Sequence, residues 1–142
     1  MKIAVVIPTY NEKENLPKIT EQIMALPLDL NLMVIDDNSP DGTGQVAEDL
    51  AKKYPGRVSV MHRTGKLGLG TAYITGYKHL LTTGVDVIGQ MDADFSHPPE
   101  KLVEMAKALE NADVAEGSRY VPGGSLDEKW PLWRKWLSGF GN

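Results

Sequence analysis

Val85-Asp86-Val87-Ile88-Gly89-Gln90-Met91-Asp92-Ala93-Asp94 is an apolar run that ends in two carboxylates one residue apart. Paired acids at the carboxyl end of a buried strand are costly unless something positive is held between them. The usual occupant is a divalent cation, with oxygen ligands and a phosphorylated substrate completing the shell. A second apolar run, Leu32-Met33-Val34-Ile35, closes on Asp36-Asp37. Two strand ends of one small domain therefore carry acid pairs, in a chain whose net charge is only −4.

Working outward, strand-like and helix-like segments alternate with little slack. Lys2–Ile7 is continuous and β-branched enough to be a strand buried on both faces, and Pro8-Thr9-Tyr10-Asn11 breaks it. Apolar positions at Leu16, Ile19, Ile23, Met24 and Leu26 predict a helix from about Glu14 to Leu26. After the strand Leu32–Ile35, Asp41 can cap a helix over Gly44–Tyr54 that Pro55-Gly56 ends. Val58–Met61 reads as a short strand, and a glycine-rich turn (Gly65, Gly68, Gly70) leads to a helix over Thr71–Leu81. The strand Val85–Met91 follows, then a helix opened by Pro98-Pro99-Glu100 and reaching about Leu109, then a fifth strand over Ala112–Glu116. This alternation predicts an α/β fold, Rossmann-like, with three α/β/α layers around a mostly parallel sheet. Ligands in such sheets sit beyond the carboxyl ends of the strands. Pro8–Glu12, Asp36-Asp37, Asp92–Asp94 and Gly117–Arg119 all fall on that edge.

Composition narrows the class. At 142 residues and 42% hydrophobic, the chain reads as one ordinary globular domain. No cysteine means no disulfide, no thiolate metal site and no thiol nucleophile. Mild acidity argues against nucleic-acid binding. No apolar run approaches the roughly 20 residues that span a bilayer, and the expected location is cytoplasmic. The tail departs from the pattern: all three tryptophans fall within Trp130–Trp136, and the chain ends at Gly141-Asn142 as if cut inside a longer protein. Trp133, Trp136, Leu137 and Phe140 share a helical face beside Arg134 and Lys135. The Trp130–Phe140 segment thus reads either as an interfacial helix at a membrane surface or as a face packed on further protein.

Together, Val5-Val6-Ile7-Pro8-Thr9-Tyr10-Asn11-Glu12, Asp36-Asp37-Asn38-Ser39-Pro40-Asp41-Gly42-Thr43, Met91-Asp92-Ala93-Asp94 and Gly117-Ser118-Arg119-Tyr120 resemble the inverting glycosyltransferases of family 2. The resemblance covers nearly the whole chain and is greatest to the polyprenol-phosphate (dolichol-phosphate) mannosyltransferase branch. It implies a GT-A fold over residues 1–142, incomplete at its C-terminus. It implies a GDP-mannose donor, Mg²⁺ or Mn²⁺, and a polyprenyl or dolichyl phosphate acceptor at the cytoplasmic face of the membrane. Pro8, Tyr10 and Glu12 match positions lining the nucleotide pocket, and Ile35 and Asp37 match positions at the base and ribose. Asp92, Ala93 and Asp94 match the metal–diphosphate site, and Arg119 matches an arginine near the donor phosphates. Ser96 stands where many relatives have glutamine, which makes it a weaker metal ligand. The resemblance also places the Gly65–Gly70 loop by the donor.

In this chemistry a metal bridging the acids and the diphosphate stabilises the leaving group, and Arg119 adds charge-assisted hydrogen bonds. The attacking phosphate monoester is already ionised and needs no strong base. Blander roles stand beside these: Asp36 as a brace of its turn through Asn38 and Ser39, and His62 and His97 as structural residues. A phosphohydrolase would place its Asp-x-Asp motif on the first strand, whereas here it follows the fourth. A nucleotide-sugar-binding module without turnover, or a transferase using UDP-glucose, also stays open, because nothing in Tyr10, Ile35 or Asp37 alone separates guanine from uracil.

Overall fold

Ile3-Ala4-Val5-Val6-Ile7 forms most of strand β1 (Ile3–Thr9), and all five side chains are buried. Burial on both faces is what a central strand of a parallel sheet requires. β1 pairs in parallel with β2 (Leu30–Asp36) on one side and β4 (Val87–Gln90) on the other. β2 pairs with β3 (Val58–His62), giving the order β3-β2-β1-β4. The helices between them are α1 (Asn15–Met24), α2 (Thr43–Lys53) and α3 (Leu69–Leu80). The computed structural model describes residues 1–121, 124 and 131–140. The chain divides into two compact units, Met1–Glu104 and Met105–Asn142. The sheet and α1–α3 lie in the first; α4 (Lys101–Ala108) begins there and ends in the second, which also holds α5 (Leu132–Phe140).

Right-handed crossovers put α1 and α2, which lead from β1 to β3, on one face, and α3, which returns to β4, on the other. In agreement, α1 packs on α2 and α2 on β2 and β3, whereas α3 packs on β1, β2 and β4. Strand parity sorts the core accordingly. Ala4, Val6, Met33 and Ile35 meet Ala72 and Leu80 of α3, joined by Tyr73, Tyr77 and Ile88. Ile3, Val5, Ile7, Leu32 and Val34 have the opposite parity, toward the buried Leu16, Ile19, Ile23, Ala47 and Leu50 of α1 and α2. The expected three-layer α/β/α architecture with a parallel sheet is therefore the architecture of the first unit.

Several element ends differ from expectation. Pro8 does not break β1; it pairs in register with Ile35. The Ile3 N–H and the Thr9 carbonyl both face the β2 side, so Pro8, on the other parity, turns its missing N–H toward β4. That ladder has already ended at Val6–Gln90, and no bond of the register is lost. β4 is shorter than the apolar run, because Asp86 is used at its start: its carboxylate accepts the Lys2 N–H at 2.7 Å. Ala112–Glu116 is not a strand. A strand needs a ladder partner, and this stretch has none among the described residues; Val114 is 80% exposed. The N-cap of α2 is Gly42 and not the expected Asp41, which lies one residue before it and accepts the Thr43 N–H at 2.9 Å. Of the tail segment, Trp130 lies outside the described residues, whereas Trp133 and Trp136 stand 67% and 70% exposed on α5. Within the second unit the Tyr120 hydroxyl donates to Ser138 Oγ at 2.8 Å.

The seat of α3 on the sheet depends on one glycine. A Cβ at Gly76 would lie 2.7 Å from Val6 Cγ1, closer than two carbons approach, whereas one at Gly70 of the same helix would meet nothing within 4 Å. Gly76→Ala is expected to destabilise the chain by about 1–3 kcal/mol through overpacking, with Gly70→Ala neutral to slightly stabilising. Urea unfolding of the two variants beside the parent chain measures this pair of opposite effects.

Candidate active site

The strand order sets the site. Winding runs outward from β1 to β3 and then reverses to β4, so the carboxyl ends of β1 and β4 flank the switch point where ligands of such sheets bind. Tyr10, Asn11 and Glu12 leave β1 there, and Asp92 and Asp94 follow β4. Asp36 and Asp37 end β2, next to β1 on the other side. Among the described residues, three other than glycine have left-handed backbone: Asn11 (φ 61°), Asn38 (φ 55°) and Phe95 (φ 61°). Each lies just past one of these strands. Asparagine tolerates that conformation, but for phenylalanine it is strained.

The two acids of the first pair divide their work. Asp36 is buried and accepts from Thr9 Oγ1 at 3.1 Å, Ser39 Oγ at 2.6 Å and the Ser39 N–H at 3.2 Å. It braces the turn, and His62 stands between it (3.8 Å) and Glu48 (2.8 Å). Asp37 is held differently. Arg63 donates through Nε and Nη2 to its two oxygens, both at 2.6 Å, with both side chains over nine-tenths buried. The same guanidinium reaches Thr71 Oγ1 at 2.8 Å and the Gly68 carbonyl at 3.3 Å. A bidentate pair of this kind fixes orientation as well as charge. It ties the end of β2 to the glycine-rich loop, whose Lys66 ammonium lies 4.5 Å from the centroid of the Tyr10 ring.

The second pair is more open. Asp92 Oδ1 accepts the Tyr73 hydroxyl at 2.7 Å, and the Asp92 N–H donates to His97 Nδ1 at 3.0 Å. Ala93 is buried and Asp94 exposed. Burial raises the Asp94 carboxyl, but hydrogen bonds from the Ser96 side chain and N–H (2.9 Å) outweigh it and hold Asp94 below the usual carboxylate range. Ser96 thus braces the acid beside it. Burial, with the bond to Asp92, pushes the Tyr73 phenol well up, so it serves as a donor. Asp94, ionised and open, and the second oxygen of Asp92 are hard ligands of the kind Mg²⁺ and Mn²⁺ take. Among the described residues no three acidic or histidine side chains form a metal cluster. Two acid oxygens of this kind would leave most of a bound ion's shell to phosphate and water.

Of the other expected site residues, Pro8 lies in β1, and the Glu12 N–H is accepted by Thr43 Oγ1 at 2.9 Å while its carboxylate accepts from Asn15 at 2.8 Å. Ile35 is fully buried within the α3-side core. Arg119 belongs to the second unit, exposed in a turn. Sequence reasoning missed Arg63 and Tyr73. An arginine after a short strand reads as a surface cation, and tyrosines at i and i+4 read as helix core. Arg63→Met is expected to destabilise the fold by about 3 kcal/mol or more, because it leaves Asp37 buried and unpaired. Adding Asp37→Asn should recover part of that loss, and chemical unfolding of the two single variants and the double variant measures the coupling.

The profile of Glycosyl transferase family 2 matches residues 4–142. The chain is 51% identical over 132 residues to the polyprenol monophosphomannose synthase of Mycolicibacterium smegmatis, a match covering 92% of this chain and 49% of that protein. It is 45% identical over 142 residues to the undecaprenyl-phosphate mannosyltransferase of Micrococcus luteus, covering 100% of this chain and 58% of the relative. It therefore spans about half the length of these curated relatives. Among solved structures, mannosyltransferase PcManGT from Pyrobaculum calidifontis, in complex with GDP-Man and Mn²⁺, superposes with a TM-score of 0.67 at 25% identity, over 76% of this chain and 32% of that one. S. aureus TarS in complex with UDP-GlcNAc shares the fold at a TM-score of 0.60 and 20% identity, over 78% of this chain and 31% of that one. With the family profile spanning nearly every residue and the sheet edge arranged as described, the chain belongs to glycosyltransferase family 2 and has its GT-A α/β fold.

Proposed function

We propose that this chain is the donor-binding part of an inverting mannosyltransferase that moves mannose from GDP-mannose to a polyprenyl phosphate. The observation that carries the reading is the Asp92/Asp94 pair at the switch point, open to a ligand and chemically suited to a divalent ion. The names of the relatives, and GDP-Man with Mn²⁺ in the PcManGT complex, favour this donor and metal over UDP-glucose.

Each residue then has a task. Asp37, its orientation set by Arg63, holds the nucleoside end, and Tyr10 and Glu12 border it from the loop after β1. Asp92 and Asp94 would hold a divalent ion, which would supply Lewis-acid stabilisation of the departing diphosphate. Arg119, through its match to the family's Gly-Ser-Arg-Tyr motif, is assigned to the donor phosphates. The acceptor phosphate monoester attacks the anomeric carbon in line, the diphosphate leaves from the opposite side, and the configuration inverts. The acceptor arrives ionised, so no side chain is assigned as a base.

Membrane approach is part of the same proposal. On α5, Trp133, Trp136 and Leu137 are exposed beside Arg134 and Lys135, a composition suited to an anionic lipid surface at the cytoplasmic face. Co-sedimentation with anionic liposomes should fall severalfold in the double variant Trp133→Ala, Trp136→Ala; binding that is unchanged removes the membrane role.

The donor is tested by thermal stabilisation with GDP-mannose, GDP-glucose, UDP-glucose and UDP-N-acetylglucosamine, each with and without Mn²⁺. A donor at about 100 times its dissociation constant adds about 2.7 kcal/mol. Metal-dependent stabilisation by GDP-mannose that Asp94→Asn abolishes is the expected result, and stabilisation by a UDP-sugar alone overturns the donor assignment. Transfer of labelled mannose to a short polyprenyl phosphate separates an enzyme from a module that only binds.

A further inference from the structure

The same helix that closes the sheet also reaches the acids. Tyr73 sits on the α3 face that packs against Val6 and Ile88, and its ring stacks on Tyr77 one turn later, with centroids 6.1 Å apart and planes 30° from parallel. Tyr77 in turn donates its hydroxyl to Gln90 Oε1, in the last residue of β4. Two phenols of one helix therefore grip successive points of one strand end: Gln90, and Asp92 two residues on. The close seat of α3 that Gly76 permits sets the depth of both. The two bonds differ in what they can influence. Gln90 carries no charge, whereas Asp92 is ionisable, with its N–H held by His97 and one carboxylate oxygen held by Tyr73.

We infer that Tyr73 is a positioning residue: by holding Asp92 Oδ1 it presents the remaining oxygen of Asp92 to the ion and diphosphate. This rests on the donor-site reading above. Partners that orient a ligating carboxylate typically change metal affinity 10–100-fold when removed. Tyr77 is expected to have no such effect, although it lies on the same helix and bonds the same strand.

The test uses the 142-residue chain with Mn²⁺ and GDP as probes. Electron paramagnetic resonance of free Mn²⁺ gives the metal affinity of the GDP-bound protein, calorimetry gives metal-free GDP affinity, and circular dichroism gives folding. Tyr73→Phe keeps the ring and its stacking and removes only the hydroxyl; Tyr77→Phe is its counterpart. The expected result is at least a tenfold loss of Mn²⁺ affinity in Tyr73→Phe, with metal-free GDP affinity unchanged and Tyr77→Phe like the parent chain. Equal Mn²⁺ affinity in Tyr73→Phe and the parent overturns the inference while leaving the donor site standing. An equal loss in Tyr77→Phe, or a parallel loss of metal-free GDP affinity, also overturns it, since the phenols then only support the fold. A parent chain that binds neither GDP nor Mn²⁺ overturns the donor-site reading and the inference with it.

Discussion

Three of the four carboxylates that follow β2 and β4, the strands on either side of β1, are held by a donor brought from elsewhere in the chain. Asp36 has Thr9 from β1 and Ser39 from its own turn; Asp37 has Arg63 from the end of β3; Asp92 has Tyr73 from α3. A charge taken out of water without a partner costs far more than any one contact returns. Everything around the edge follows from meeting that demand. The loops after β1 and β2 are tied to each other, with Asn11 bonded to Ser39, Glu12 to Thr43 and Lys13 to Asp41. Of these four acids Asp94 is the exposed one, and the turn that follows it favours its ionised form.

The sheet itself is simpler. A central strand that is apolar on both faces leaves its neighbours little choice of face, and the two parities sort α3 from α1 and α2. This is why the fold class was legible in residues 2–7, 32–35 and 85–91 alone. Hydrophobic runs report burial, and alternation with helices reports parallel pairing. Pairing, however, is a property of two strands. Ala112–Glu116 has an acceptable strand composition and no partner among the described residues, and Pro8 is tolerated because of where the β4 ladder stops. Neither fact is local to the residues concerned.

The candidate site shows the same division. Asp92 and Asp94 were visible because acids after an apolar run are conspicuous, and the turn-bracing alternative for Asp36 was visible because Asn38 and Ser39 follow it at once. Arg63 and Tyr73 were hidden by ordinary context: each acts on an acid 19 or more residues away in sequence. Their value lies in distance bridged by the fold, and no local pattern encodes it.

Phe95 brings a different consequence. A bulky side chain in the left-handed region, between Asp94 and Ser96, stores strain of about 1–3 kcal/mol that the rest of the fold sustains. Anyone engineering this chain for thermostability would therefore meet glycine or asparagine at position 95 among the attractive changes. Glycine in particular would free the turn in which the Ser96 N–H reaches Asp94, and the hardier protein would have a looser acid. At this position robustness and readiness for a ligand pull in opposite directions, so a stability screen alone would select against the edge it was meant to preserve.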